Sequence, residues 1–240
     1  MTGTSSPSGI IIEAHRGNSA YAPENTLASF RQAIGLGARA IEFDVHLTRD
    51  GVPVVMHDGK VERTTNGKGA IADLTAAEIR TLDAGRWRGA EFAGEQVPTL
   101  EEVLALAAGA DVRLNVEVKG AFPAPGMPER IVELVRASGR DHIVSSFNLA
   151  ILLAVRQLDP DRTLALIGDG PAILAQARTH GLPWIHAYYR SANLDVIAGA
   201  HTSGIRVNVW TLDDPGLVAH YRRLGVDKIC SNRPGRLMVA

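Results

Sequence analysis

The length, composition and charge of the chain limit its domain number and its partners. It has 240 residues, 45% of them hydrophobic, which is enough apolar sequence for one large domain with a full core. Its 25 lysine and arginine residues nearly balance 26 aspartate and glutamate residues, so no global field attracts nucleic acid or an anionic membrane. We therefore expect a single domain over residues 1–240, with any anionic ligand bound at a local site.

The cysteine content and the N-terminal sequence bear on cellular location. Cys230 is the only cysteine, so the chain can form no internal disulfide. Residues 1–9 lack the basic segment of a signal peptide, and no apolar run approaches the roughly 20 residues that a membrane-spanning helix needs. We expect a cytoplasmic protein without a membrane span.

Short β-branched segments alternate with amphipathic segments along the chain, which is typical of βα units around a parallel sheet. Apolar residues three and four apart, as in Leu27, Phe30 and Ile34, predict helices, the first of them capped by Asn25. The eight predicted strands are Ile10–Ala14, Ala40–Val45, Arg113–Lys119, His142–Ser146, Thr163–Ile167, Trp184–Ala187, Arg206–Trp210 and Lys228–Ser231. Eight such units predict an α/β TIM (β/α)8 barrel, a fold of typically about 250 residues.

One segment does not fit the repeat of eight. Val52–His57 follows Leu47 after a short turn, whereas a parallel crossover needs about a dozen residues. We predict an antiparallel return arm that brings His57 back to the end of the second strand. Residues 58–98 are too long for an ordinary βα loop and are predicted to form a small inserted subdomain. Only residues 232–240 follow the last strand, so the eighth helix is expected to be short or absent.

Polar residues stand at the carboxyl ends of the predicted strands, where TIM barrels hold their active sites. His15 and Arg16 follow the first strand. Glu42 and Asp44 share one face of the second strand, because successive side chains of a strand point to opposite faces. Carboxylates on the inner face of a barrel are costly unless they are paired or bind a cation. These strand ends are therefore a candidate functional site.

The third strand repeats the arrangement, with Glu117 and Lys119 on one face. Glu42, Asp44 and Glu117 are hard oxygen ligands that suit Mg²⁺ or Ca²⁺ better than zinc, with Mn²⁺ as a further candidate. Three carboxylates, one divalent ion, Arg16 and Lys119 sum to one positive charge, which complements a phosphodiester monoanion. The ion is expected to polarise a phosphoryl oxygen while Arg16 holds two oxygens.

His15 and His57 reach the same rim from different segments of the chain. Imidazole has an unperturbed pKa near 6.5, which suits both proton donation and proton acceptance at neutral pH. Cleavage of a phosphodiester needs one group that activates the nucleophile and another that protonates the departing alkoxide. We predict that the two histidines fill these roles. The other histidines are expected to be structural or to lie at the surface, namely His46, His142, His180, His186, His201 and His220.

Short motifs whose order and spacing are specific run along the chain. They are His15-Arg16-Gly17, Ala22-Pro23-Glu24-Asn25-Thr26, Ile41-Glu42-Phe43-Asp44-Val45, Thr48-Arg49-Asp50-Gly51, Val54-Val55-Met56-His57-Asp58, Arg63-Thr64-Thr65-Asn66-Gly67, Pro98-Thr99-Leu100-Glu101-Glu102, Asn115-Val116-Glu117-Val118-Lys119 and Val209-Trp210-Thr211. Through these motifs the sequence resembles the glycerophosphodiester phosphodiesterase family over nearly its whole length.

The resemblance carries expectations about fold and site. It implies a TIM barrel with a small insertion after the hairpin, together with the divalent-ion site and the two acid/base histidines named above. It also suggests that Arg16 and Lys119 hold phosphate and that Trp210 lines the substrate pocket. Phe147, just past its strand, is a further pocket candidate.

The implied activity is metal-dependent hydrolysis of a small glycerophosphodiester, such as glycerophosphocholine or glycerophosphoethanolamine, to glycerol 3-phosphate and an alcohol. Three alternatives stand beside it. Lysophospholipase D-type hydrolysis of lysophospholipids would be favoured by an exposed apolar patch at the rim. Phosphatidylinositol phospholipase C shares a barrel with two histidines but matches the motifs poorly. A non-catalytic barrel that binds phosphodiesters would be favoured by loss of a histidine or a carboxylate, and none is lost.

Overall fold

The computed structural model describes residues 10–120 and 125–238, and within these ranges eight parallel strands close into a barrel. The hydrogen-bonded order is β1-β9-β8-β7-β6-β5-β4-β2, and β2 pairs again with β1. This confirms the predicted TIM barrel. The strands are β1 (Ile11–His15), β2 (Ala40–Leu47), β3 (Pro53–Val55, outside the barrel), β4 (Arg113–Val118), β5 (Ile143–Ser146), β6 (Leu164–Gly168), β7 (Trp184–Tyr188), β8 (Arg206–Trp210) and β9 (Lys228–Ser231).

Helices connect the barrel strands and cover their outer faces. In the described part of the chain, no helix is both long enough and apolar enough to cross a membrane. The helix after the last barrel strand is short, as expected. The helices are α1 (Leu27–Gly35), α2 (Ala76–Arg80), α3 (Leu100–Ala108), α4 (Met127–Ala137), α5 (Leu149–Leu158), α6 (Gly170–Thr179), α7 (Leu194–Thr202), α8 (Pro215–Leu224) and α9 (Pro234–Met238).

The main core lies between the barrel and the helices. On β2, Ile41, Phe43 and Val45 face outward into this core and are buried. The ring of Phe43 packs against Phe30 of α1, with centroids 5.6 Å apart. Burial of a large apolar side chain contributes about 1.5–3 kcal/mol. The alternate residues of β2 must therefore point into the barrel, which is how Glu42 and Asp44 reach its interior.

The hairpin after β2 positions His57. β3 runs antiparallel to β2, with Val55 opposite Val45. It is shorter than the predicted arm Val52–His57, but the chain that leaves it carries His57 into the same pocket as the ends of β1, β2 and β4. That residues 58–98 form a separate inserted subdomain remains a prediction. It contributes to a second apolar cluster of Val54, Met56, Val61, Ile71, Ile79, Ala84 and Val97.

Candidate active site

Three carboxylates meet at the carboxyl ends of β2 and β4. Asp44 lies directly opposite Glu117 in the parallel register of these strands, and Glu42 is two residues before Asp44 on the same face. One carboxylate oxygen of each residue lies within 4.8 Å of the others, and all three side chains are buried. The structure thus brings together the three side chains that the sequence predicts as metal ligands.

Burial and mutual repulsion perturb the ionisation of this acidic cluster. Burial raises the pKa of Glu42 well above its usual value, and the charges of Asp44 and Glu117 raise it further. Burial and the Asp44 charge also raise the pKa of Glu117, to about 7. Burial acts in the same direction on Asp44, but Arg16 and Lys119 outweigh it and lower its pKa to about 2.

The acidic cluster fits a divalent cation of the Mg²⁺ or Ca²⁺ type. Its donors are carboxylate oxygens, which these ions prefer. The buried Oε1 atom of Glu42 accepts no hydrogen bond from the described residues, so it is available to a cation. Three ionised carboxylates with Arg16 and Lys119 carry a net charge of about −1, and a divalent ion changes this to about +1.

Two positively charged side chains flank the acidic cluster. The Nε atom of Arg16 lies 3.1 Å from Asp44 Oδ2, and its Nη1 atom lies 3.0 Å from Glu24 Oε1. The Nζ atom of Lys119 lies 2.9 Å from Asp44 Oδ1 and also contacts Glu117 Oε1. Both cations therefore hold Asp44 ionised at the edge of the pocket and leave further N–H groups for an anionic ligand.

Asn25 orients Asp44 and does not cap α1, so the predicted cap is wrong. Its backbone has a φ of 59°, and its Nδ2 atom donates a hydrogen bond of 2.8 Å to Asp44 Oδ2. The cap is Thr26, whose Oγ1 atom accepts a 3.3 Å hydrogen bond from the Ser29 N–H. The left-handed backbone conformation of Asn25 turns its side chain toward Asp44. Thr26, the next residue, therefore accepts the hydrogen bond from the first turn of α1.

His15 is held by a residue from the distant C-terminal segment. Its Nδ1 atom donates a 2.7 Å hydrogen bond to Asn232 Oδ1, so the Nε2 atom, which lies 3.8 Å from Glu42 Oε2, is directed to the pocket side of the ring. Asp213 orients Asn232 by accepting 2.8 Å hydrogen bonds from its side-chain and main-chain N–H groups. Burial, and to a lesser extent Arg16, lower the pKa of His15, which favours the neutral imidazole.

His57 is held by a chain of ion pairs across the rim. Its Nδ1 atom donates to Asp58 Oδ1 at 2.6 Å, which again leaves Nε2 for a ligand. Asp58 accepts from Arg63 Nε at 2.5 Å, and Arg63 also donates to both carboxylate oxygens of Glu24. Because Glu24 also pairs with Arg16, this series of ion pairs links His57 to the Arg16 guanidinium beside Asp44.

A pocket opens between these groups. Phe147 and Trp210 line its mouth, with an edge-to-face contact at a centroid distance of 5.7 Å. Trp210 Nε1 donates a 3.0 Å hydrogen bond to the His186 main-chain oxygen, and Phe147 is 54% exposed. Lys119 Nζ lies 5.7 Å from the centroid of the Phe147 ring. All the predicted site residues except Asp44 line this pocket, and Asp44 lies behind Arg16 and Lys119.

Further buried polar side chains line the pocket around the acidic cluster, and the sequence does not predict their role. We call this set, which consists of Glu13, Asn115, His186 and Asn208, the polar floor. Glu13 and Asn115 stand two positions before His15 and Glu117 on the same strands, Asn115 lies directly opposite Glu42 in the register of β2 and β4, and all four floor residues line the pocket. Glu13 is held by Lys228, whose Nζ atom donates to Glu13 Oε1 at 2.8 Å.

Comparison with known proteins places this architecture in a family. Residues 15–236 match the glycerophosphoryl diester phosphodiesterase family. A glycerophosphodiester phosphodiesterase of Caldanaerobacter subterraneus subsp. tengcongensis is 35% identical over 95% of this chain and 96% of the relative. One of Bacillus subtilis is 31% identical over 95% of this chain and 85% of its own.

Solved structures show the same likeness. An Oleispira antarctica phosphodiesterase, in complex with the product sn-glycerol-3-phosphate, superimposes with a TM-score of 0.87 at 30% identity and covers 95% of each chain. A glycerophosphodiester phosphodiesterase of Agrobacterium tumefaciens superimposes with a TM-score of 0.85 at 29% identity, over 97% of this chain and 100% of the other. The chain therefore belongs to the glycerophosphoryl diester phosphodiesterase family and is an enzyme of that type.

Proposed function

We propose that this enzyme hydrolyses glycerophosphodiesters to glycerol 3-phosphate and an alcohol, with a divalent cation bound by Glu42, Asp44 and Glu117. One observation carries the proposal: two histidines, each with its Nδ1 atom already bonded, face one pocket that also contains a buried acidic cluster and two cations. The sn-glycerol-3-phosphate in the Oleispira antarctica relative supports glycerol phosphate as the product.

In this proposal, the phosphodiester binds in the pocket beside the acidic cluster. Arg16 and Lys119 hold its non-bridging oxygens through N–H groups that do not contact Asp44. When bound, a divalent cation supplies positive charge to the phosphoryl group and lowers the pKa of a coordinated hydroxyl. The aromatic mouth formed by Phe147 and Trp210 then faces the departing alcohol.

The two histidines move the protons. One Nε2 atom takes a proton from the nucleophile, and the other gives a proton to the leaving alkoxide. Asn232 and Asp58 keep the Nδ1 atoms of His15 and His57 protonated, so each Nε2 atom carries the exchangeable site. The nucleophile is the glycerol hydroxyl next to the phosphate-bearing carbon, and the resulting cyclic glycerol phosphate is opened by water with the two histidine roles reversed.

The assay that tests the proposed function uses a panel of phosphodiesters with Mg²⁺, Mn²⁺ or Ca²⁺. We expect glycerol 3-phosphate to be released from glycerophosphocholine and glycerophosphoethanolamine, as measured by coupled oxidation of the product. Preferential turnover of lysophosphatidylcholine would favour the lysophospholipase D alternative. Tight binding of glycerophosphocholine without turnover under any metal would instead support a non-catalytic barrel.

Removal of either histidine is expected to slow turnover strongly. His15→Ala and His57→Ala should each lower kcat by at least about a hundredfold, the usual contribution of a positioned general acid or base. His46 is the matched control, because it is a neighbouring histidine whose imidazole does not line the pocket. Its Nε2 atom donates a 3.0 Å hydrogen bond to the main-chain oxygen of His57 and does not contact the His57 imidazole. Steady-state kinetics should show little change in kcat for His46→Ala. Equal losses at His46 and His57 would contradict the assignment.

A further inference from the structure

The motif Arg63-Thr64-Thr65-Asn66-Gly67 forms a tight turn in the insertion and contributes no side chain to the pocket lining. Thr65 closes the turn, because its Oγ1 atom donates a 2.7 Å hydrogen bond to the main-chain oxygen of the buried Val61. Asn66 ties the turn to a second segment, since its Oδ1 atom accepts from the Asp83 N–H at 2.8 Å and its own N–H donates back at 3.2 Å. The turn therefore gives the first residue of the motif a fixed base.

The guanidinium of Arg63 lies between two carboxylates and presents a different edge to each. Its Nε and Nη2 atoms donate to Asp58 at 2.5 and 3.2 Å, and its Nη1 and Nη2 atoms donate to Glu24 at 3.0 and 2.8 Å. All three nitrogen atoms are engaged, and each carboxylate accepts two hydrogen bonds. A lysine at this position would offer a single point charge and could not hold both carboxylates in this way.

Arg63 also keeps both carboxylates ionised. Its hydrogen bond to Asp58 is the strongest influence that lowers the pKa of that carboxyl to about 2. Burial raises the pKa of Glu24, but Arg63 and Arg16 outweigh it and lower that pKa below its usual value. The Asp58 side chain is 33% exposed, and among the described residues only Arg63 and His57 bond to it. Without Arg63, this carboxylate is therefore free to turn toward water.

Each carboxylate in turn holds a group of the candidate active site. Asp58 accepts the Nδ1 hydrogen of His57 at 2.6 Å, and the Glu24 Oε1 atom that accepts from Arg63 also accepts from Arg16, at 3.0 Å. We propose that Arg63 is a positioning residue for the reaction. It fixes the Asp58 carboxylate and thereby holds His57 in the tautomer whose Nε2 atom exchanges the proton. The inference rests on the proposed function, in which His57 moves a proton.

Arg80 is the matched control, because it distinguishes this role from simple attachment of the insertion to the barrel. It is also an arginine of the insertion, and its Nη1 atom donates to both carboxylate oxygens of Glu102 on α3, at 2.8 and 2.7 Å. Neither residue lines the pocket, and neither contacts His57 or Asp58. Arg80→Ala therefore removes an ion pair of the same kind without disturbing the support of His57.

Steady-state kinetics on the metal-loaded enzyme tests the effect on the reaction. We expect Arg63→Ala to lower kcat for glycerophosphocholine by about tenfold to a hundredfold, because a small misplacement of a catalytic group is enough to cause a loss of that size. Arg63→Lys should lose nearly as much, since it restores the charge but not the two-edged contact. Arg80→Ala should stay within about threefold of the wild type, as is usual for a surface substitution.

A double-mutant cycle tests whether Arg63 acts through Asp58. In Asp58→Ala the acceptor for the His57 Nδ1 hydrogen is already gone. Adding Arg63→Ala to this variant should therefore lower kcat by no more than about threefold, because the two changes remove the same interaction. Losses that multiply would contradict the proposed route.

Nitrogen NMR of the His57 imidazole reads the tautomer without any turnover. In the wild-type enzyme loaded with Mg²⁺, at a pH where the ring is neutral, the Nδ1–H form should predominate, because Asp58 accepts that hydrogen. In Arg63→Ala the Nε2–H form, which a free imidazole side chain prefers, should increase. In Arg80→Ala the distribution should match that of the wild type.

Three further results overturn the proposal. They are full activity of Arg63→Ala or Arg63→Lys, an equal loss of kcat in Arg80→Ala, and a His57 tautomer that does not change in Arg63→Ala. Failure of the proposed function looks different. A wild type that does not turn over glycerophosphocholine, but whose His57 tautomer still depends on Arg63, would contradict the proposed activity and support the positioning of His57 by Arg63.

Discussion

Dialysis against excess EDTA is expected to abolish turnover of glycerophosphocholine, and added Mg²⁺, Mn²⁺ or Ca²⁺ to restore it. The reason is electrostatic. Without a cation, burial and mutual repulsion raise the pKa values of Glu42 and Glu117, so these side chains do not carry their full charge and no divalent charge is present to polarise a phosphoryl oxygen. A bound divalent ion favours the ionised form of all three carboxylates and, with Arg16 and Lys119, gives the site a net charge of about +1, which attracts a phosphodiester monoanion. Full activity in protein shown to be metal-free by elemental analysis would contradict the proposed cofactor.

Thermal denaturation gives a second readout of the same site that does not depend on catalysis. A ligand at a hundred times its Kd stabilises the folded state by about 2.7 kcal/mol, and for a chain of this size that raises Tm by about 5–10 °C. Asp44→Asn should lose most of this metal-induced increase while the barrel stays folded. Asp111→Asn is the matched control, because Asp111 is exposed before β4, at the opposite end of the barrel. Equal increases in Tm for the two variants would place the ion elsewhere.

The barrel was predictable because each of its strands has a strong local signal. Inward and outward residues alternate on β2, where Glu42 and Asp44 interrupt a run of apolar residues. Parallel strands buried on both faces are usually apolar throughout, so two carboxylates in such a strand indicate a functional site inside the barrel. The predicted boundaries of the first strand differ from those of β1 by one residue at each end. The hairpin arm is shorter than predicted because only Pro53–Val55 pairs with β2.

The residues that position His15 were harder to predict, because they are distant from it in sequence. Asn232 bonds to His15 across 217 positions, and nothing local distinguishes it from a turn residue after the last strand. Asp213 reaches Asn232 from the segment after β8. Only the closure of the barrel, which makes β9 the neighbour of β1, brings these residues together.

The polar floor did have a signal in the sequence. Alternation on β1 places Glu13 on the same side as His15, so a charged residue inside the barrel follows from the period of two. Its partner Lys228 and its neighbour Asn208 lie on β9 and β8, and single-strand patterns do not pair them. Asn25 was misassigned for a related reason, since its backbone conformation and its contact with Asp44 are both tertiary features.

The largest kinetic effect is expected from a change in the substrate. A phosphodiester is a poor electrophile, so an enzyme gains most from a nucleophile already in place, and glycerol carries a hydroxyl next to its phosphate-bearing carbon. Oriented intramolecular groups reach effective molarities of roughly 10⁵–10⁸ M. A 2-deoxyglycerol phosphodiester lacks this hydroxyl but keeps the terminal one. We expect it to bind and to turn over slower by several orders of magnitude.

The 2-deoxy analogue lacks the nucleophile near His15 and His57, so the loss should appear in kcat. Single-turnover kinetics separates this loss from any change in binding. Near-normal turnover of the 2-deoxy analogue would exclude internal attack and leave direct attack by water, with the same histidines and the same product, as the route.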